Sequence, residues 1–245
     1  PMKGSALLLV AAGAAVACTE VVVLGRGADD GSPADAAVAE ALPCDALAGA
    51  APTETAVPRP GRFAVVGSRV VGPTGATVVL RGVNVNGPRW VWDRETTQDA
   101  ALIAETWRFD AVRVNSFLRP GGFATNDDLD AIVAAFTGRG LVVIVDLHDH
   151  TGAYFAPTSS PSLGEATAFF RDLALRYRDN PYVWFDLQAK PGGCRLECAF
   201  VDAHDALLAA IRKDAAADNL VVVHGAARGT EDGCTGDAPV TADTS

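Results

Sequence analysis

Residues 180–193, NPYVWFDLQAKPGG, constrain the chain more than any other stretch. Residues 182–187 form a short apolar and aromatic run, bounded by Pro181 and by Pro191-Gly192-Gly193. Such a run suits a strand buried on both faces, as in a parallel sheet covered by helices. In α/β proteins the chemistry sits at the carboxyl ends of these strands. Here that end carries Ala189, Lys190 and Pro191.

Strand and helix patterns continue along the chain. Residues 63–66, 69–71 and 77–80, split by Gly67 and by Pro73-Thr74-Gly75, predict a small β-hairpin. Arg81-Gly82-Val83-Asn84 follows, and then a polar loop with Trp90 and Trp92. Residues 97–107 carry a helical pattern with Thr96 or Thr97 as N-cap, and 109–115 (FDAVRVN) a strand. An arginine inside an apolar strand is costly unless its charge is paired, which makes Arg113 a sharp signal. Residues 126–140 read as a helix with acids in its first turn and Arg139-Gly140 at its end. Residues 141–145 are a buried strand running into Asp146-Leu147-His148-Asp149-His150. Residues 162–179 form a helix with Phe169, Phe170, Leu173 and Tyr177 on one face. A further helix over 201–217 precedes a fifth strand over 219–224 (NLVVVH).

A chain of 245 residues could hold one barrel of about 250 residues, or a smaller domain plus extras. Its 49% hydrophobic and 20% charged residues describe a globular protein. The net charge of −10 argues against nucleic acid or an anionic membrane surface as the main partner, but not against a neutral polymer. At the N-terminus, Lys3 and the apolar run 6–17 match a signal segment. That run is too short to cross a hydrocarbon core of about 30 Å. Ala15-Val16-Ala17-Cys18 resembles a bacterial lipobox, in which Cys18 becomes lipid-modified; plain secretory cleavage is the alternative. The expected organisation is an exported chain with a signal segment over 1–18, an Ala/Pro-rich tether over 19–60 and a folded part over 61–245, irregular from 225 onward.

The order of hairpin, Arg-Gly-Val-Asn, Val-Arg-Val, Asp-Leu-His and Asn-Pro-x-Val-x-Phe resembles the cellulase-like family 5 glycoside hydrolases over residues 63–224. The resemblance implies a TIM-type (β/α)8 barrel, here incomplete, with about five recognisable βα units behind an N-terminal β-hairpin. It implies retaining hydrolysis of a β-linked glucan or mannan, with a polysaccharide or oligosaccharide as partner and no cofactor. Arg113 matches the family arginine that supports the nucleophilic carboxylate, and His148 the histidine lining the sugar site. Ala189 and Lys190 fall on the Asn and the acid/base Glu of the family's Asn-Glu-Pro. Asn84, Trp90, Trp92 and Tyr154 are candidate sugar contacts; the two tryptophans could equally pack over the barrel mouth.

Two departures limit the carry-over. Retaining glycosidases need two carboxyl groups about 5 Å apart, one protonated and one ionised. Lys190 replaces the first, and a lysine ammonium, with its usual pKa of about 10.4, is a poor acid at neutral pH. The second is expected on a seventh strand, whereas only five strands are recognisable. Substitute acids could be Glu231 and Asp232, or Asp149; the bland alternative is solvated loop acids. Weak or absent hydrolysis is therefore expected, with a carbohydrate-binding pseudoenzyme as the competing class.

Five strands of eight leave two open edges, so self-association or marginal stability is expected unless the tether or tail covers the gap. A third reading is a metal-dependent amidohydrolase, with His148 and His150 on one strand face beside Lys190 and His224. If Cys18 carries lipid, Cys44, Cys194, Cys198 and Cys234 remain as disulfide candidates, with three possible pairings.

Overall fold

The computed structural model describes residues 21–24, 61–87, 96–118, 126–192 and 198–224. The expected N-terminal signal segment, most of the expected tether and the tail from residue 225 lie outside them.

The chain enters with β1 (Val21–Leu24), then β2 (Ala64–Val66), β3 (Arg69–Val71) and β4 (Thr77–Val78), which form a separate three-stranded antiparallel sheet in that order. The expected hairpin is thus a meander of one more strand. Five βα-type strands follow: β5 (Gly82–Asn86), β6 (Ala111–Ser116), β7 (Val142–Leu147), β8 (Val183–Asp186) and β9 (Val221–His224). Neighbours among them pair in parallel, in chain order. The helices between are α1 (Thr96–Ala101), α2 (Asn126–Thr137), α3 (Leu163–Tyr177) and α4 (Cys198–Ala209). Both α1 and α4 close in a wider π turn, over Leu102–Thr106 and Ala210–Asp214.

The sheet has two differently built faces because its strands alternate side chains. One face buries Val112, Val114, Val145 and Phe185 against Phe136 of α2, Phe170 of α3 and Leu207 of α4. The opposite face buries Ala111, Ile144, Trp184 and Val222 against Phe63 and Leu80 around the small meander. Phe63 sets its ring edge-on to Tyr182 and Trp184, at 5.3 and 5.2 Å between centroids. The meander therefore plugs the amino-terminal end of the inner face. The carboxyl-terminal end of that face is left to polar residues.

Gly82 in Arg-Gly-Val-Asn has a packing role. A Cβ there would lie 2.3 Å from the Ala111 carbonyl oxygen, so β5 approaches β6 only with glycine at this position.

The tether expectation needs correction at one place. Val21–Leu24 pairs antiparallel with β9, so the sheet has six strands in the order β1-β9-β8-β7-β6-β5. Of the two open edges expected from five parallel strands, the β9 edge is occupied by the chain itself. Among the described residues β5 pairs only with β6. The run of three valines and a leucine has the β-branched composition of a strand, and an unpaired sheet edge supplies the template that a tether alone lacks.

Candidate active site

Arg113, Asp146, Asp186 and His224 share the inner face with the apolar plug residues, two positions further along each strand. They form a continuous ionic chain across four strands. Arg113 Nε donates to Asp186 Oδ2 at 2.7 Å, and its Nη2 lies 2.7 Å from Asp146 Oδ2. His148 Nδ1 stands 2.8 Å from Asp146 Oδ2, and His224 Nε2 2.9 Å from Asp186 Oδ2. Both carboxylates are fully buried and the arginine side chain is 11% exposed.

Burial alone would favour neutral forms, and here the mutual charges win. Desolvation pulls Arg113 down, but Asp146 and Asp186 more than restore it, so the guanidinium is held more firmly protonated than usual. Desolvation pushes Asp186 up, yet Arg113 and His224 hold its carboxyl well below the usual carboxylate range. Asp146 Oδ1 also accepts from the Ser116 N–H at 3.1 Å, which fixes the carboxylate in place.

The strand-end loop that carries Ala189 and Lys190 is clamped to the loop after β7. Gln188 Nε2 donates to the Ala153 carbonyl at 3.0 Å, Gly152 N–H to the Lys190 carbonyl at 3.0 Å, and Gly192 N–H to the Ala153 carbonyl at 2.7 Å. A Cβ on Gly192 would sit 1.9 Å from the Gly152 oxygen, so the two loops meet backbone to backbone. Ala189 is fully buried and its N–H donates to Leu147 at 3.0 Å. Lys190 is exposed, with φ +49° in the left-handed region. The loop is thus held rigidly around a side chain that faces solvent.

The other sequence-derived positions divide. Asn84 is exposed on β5, in register with Arg113 on the same sheet face. Tyr154 is half-buried in the loop after β7. Trp90, Trp92, Cys18, Cys44, Cys194, Cys234, Glu231 and Asp232 lie outside the described residues; Cys198 opens α4. Asp149 is not a solvated loop acid: it is buried, and its Oδ2 accepts from the Leu118 N–H at 2.6 Å.

The shared-face geometry behind the metal reading does not form. Strand β7 ends at Leu147, and His150 has φ +56°, so the two-residue alternation stops before the histidines. His148 turns to Asp146, while His150 Nε2 contacts the Pro161 carbonyl oxygen at 2.7 Å and its ring meets Phe155. Among the described residues no three His, Cys, Asp or Glu side chains are placed to hold a metal ion.

Asp186 and His224 are the site residues that sequence reasoning undervalued. The signal was present: an aspartate inside the apolar run 182–187 carries the same burial cost as Arg113 and calls for a partner of opposite sign.

A parallel sheet with helices on one face, an apolar plug on the other and charged residues at its carboxyl ends defines a partial (β/α) barrel with a candidate strand-end site. The family model for cellulase, glycosyl hydrolase family 5, matches residues 71–244. The chain belongs to that family. It is 29% identical over 146 residues to endoglucanase E-5 of Thermobifida fusca, covering 58% of this chain and 30% of that protein. Endoglucanase A of Butyrivibrio fibrisolvens is 25% identical over 143 residues, 54% of this chain and 32% of the relative. The chain thus spans about a third of the length of these curated relatives. Among solved structures, the catalytic domain of the Thermobifida fusca endoglucanase superposes with a TM-score of 0.58 at 24% identity, covering 69% of this chain and 55% of that one. A variant of that domain in complex with cellotetraose gives 0.55 at 25% identity, covering 66% and 52%.

Proposed function

We propose that this chain binds a β-linked glucan or mannan at the strand ends and hydrolyses it weakly or not at all. The observation that carries this reading is the double commitment of Arg113. Asp146 and Asp186 are the carboxylates nearest the strand ends of the inner face, and both are buried and committed to one guanidinium. Retaining hydrolysis needs one carboxyl group that gives up a proton and one that attacks the sugar, about 5 Å apart and both in reach of substrate. Arg113 and His224 hold the Asp186 carboxyl well below the usual carboxylate range, so it supplies no proton, and full burial keeps either carboxylate from attacking. At the clamped loop the side chain that faces solvent is Lys190, a donor with no acceptor lone pair while charged. What remains is recognition: hydrogen-bonding groups such as Asn84 on β5, and His148 and Tyr154 after β7, with Trp90 and Trp92 as stacking platforms. The relative solved with cellotetraose supports a glucan as the first ligand to try.

The test is a panel of soluble β-glucans and mannans, with turnover and binding measured on the unaltered chain and on Lys190→Glu. Binding without turnover by the unaltered chain is expected. Turnover abolished by changing a single acid would replace this reading with that of an active enzyme using a substitute carboxylate. The same proposal places the protein outside the cytoplasm, anchored through lipid on Cys18. Incorporation of labelled fatty acid, lost in Cys18→Ala, is the expected result.

A further inference from the structure

Among the described residues β9 is the last parallel strand of the sheet, and beside it lies the chain's own β1, running the opposite way. The register fixes which backbone groups meet. Phe185 N–H donates to the Leu220 carbonyl at 3.0 Å and Leu187 N–H to the Val222 carbonyl at 3.1 Å, so Leu220 and Val222 face β8. Backbone groups alternate sides along a strand, and Val221 and Val223 therefore direct theirs at β1. Their register partners are Leu24 and Val22. Val22 and Leu24 thus turn their N–H groups inward, and Val21 and Val23 turn theirs away.

We propose that Val21–Leu24 is a surrogate edge strand that keeps the incomplete sheet monomeric by occupying an edge otherwise open to a second copy of this chain. Two observations select a second copy as the competing occupant. β9 is a parallel-sheet strand with one side left over, and at the far end β5 pairs only with β6 among the described residues. The two edges therefore offer complementary ladders: β5 of one copy can extend the sheet past β9 of another, in parallel and head to tail. Such a contact does not close on itself and leads to chains of molecules. An antiparallel strand at β9 blocks that register. The same strand bonds the backbone of Val223, next to His224, whose side chain is bonded to Asp186, so its release also loosens the outer end of the ionic chain.

The alternation supplies a matched pair of variants. Val22→Pro removes an inward N–H and the bond it makes, whereas Val23→Pro removes one that points outward, a place where an edge strand tolerates proline. Light scattering across a hundredfold concentration range, with amide exchange at Val221 and Val223, reads the result. The unaltered chain and Val23→Pro should be monomeric with both amides protected. Val22→Pro should lose that protection and associate as concentration rises. Equal protection and a monomer in both proline variants would overturn the proposal, as would self-association of the unaltered chain to the same degree as Val22→Pro. If Val22→Pro does not accumulate as folded protein, amide exchange on the unaltered chain still decides: unprotected amides at Val221 and Val223 refute a paired β1.

Discussion

Arg113 on β6 reaches past the whole of β7 to place its Nε 2.7 Å from Asp186 Oδ2 on β8. A single side chain thus ties together strands that do not pair directly, at the end of the sheet where the meander no longer packs. Removing that side chain leaves two buried carboxylates without the guanidinium they share. Arg113→Ala should therefore lose about 3–5 kcal/mol of stability, the range for breaking a buried pair by deleting one partner. Asp186→Asn, which removes a charge and keeps a shape that can hydrogen-bond, should lose less. Urea midpoints of the two variants at neutral pH check the order.

Acid should destabilise the protein in two separable windows. His204 on α4 is fully buried, with Nδ1–H donating to the Phe200 carbonyl at 2.9 Å. Burial, as the larger cause, lowers its pKa to about 4. The unfolded chain binds that proton near pH 6.5, so the neutral histidine stabilises the fold above about 6.5, and the contribution is lost as pH falls to about 4. It amounts to roughly 3 kcal/mol. The carboxylate of Asp186 is held below its usual range, so its contribution is present above about pH 4 and is lost only on further acidification. Urea midpoints from pH 7 to 3 should fall in both windows for the unaltered chain. His204→Gln should flatten the upper window and leave the lower one.

Gly192 tests whether the clamped loop depends on direct backbone contact. Alanine there would bring Cβ to 1.9 Å from the Gly152 oxygen, which belongs to backbone and cannot swing aside. Gly192→Ala should cost about 1–3 kcal/mol and separate the two loops. Loss of amide protection at Gly152, without loss at the α3 amides, would show that the damage is local.

The order of strands and helices was legible because β-branched runs and helical periods are local properties of a chain. The capping box of α3 is an instance: Ser162 and Glu165 bond each other's backbone N–H groups at 3.2 and 2.7 Å, as their spacing foretells. Arg113 and His148 drew attention in the sequence, but the partners that hold them in the structure were less legible. Asp146 and Asp186 meet Arg113 across a distance in sequence that only the sheet order resolves. β1 was least legible of all, because four residues beside a signal-like run have no reason to be a strand until an edge formed some 200 residues later is present. The metal reading failed for a similar reason: period two was carried past Leu147, where the strand had ended.

Lys190 links the conformational and the chemical arguments. Its φ of +49° is a conformation that costs a residue with a Cβ about 1–2 kcal/mol and a glycine nothing. Lys190→Gly should therefore be neutral to stabilising by up to about 1 kcal/mol, since the flexibility glycine adds to the unfolded chain offsets part of the gain. Lys190→Val, branched at Cβ, should be the least stable of the series. Lys190→Glu has an unbranched Cβ in the same exposed position and should melt within a degree or two of the unaltered chain. Thermal melts of the four proteins check this ranking. They also decide what a silent Lys190→Glu variant means in the hydrolysis test: with its fold intact, the missing activity belongs to the absent carboxylate partner and not to a damaged loop.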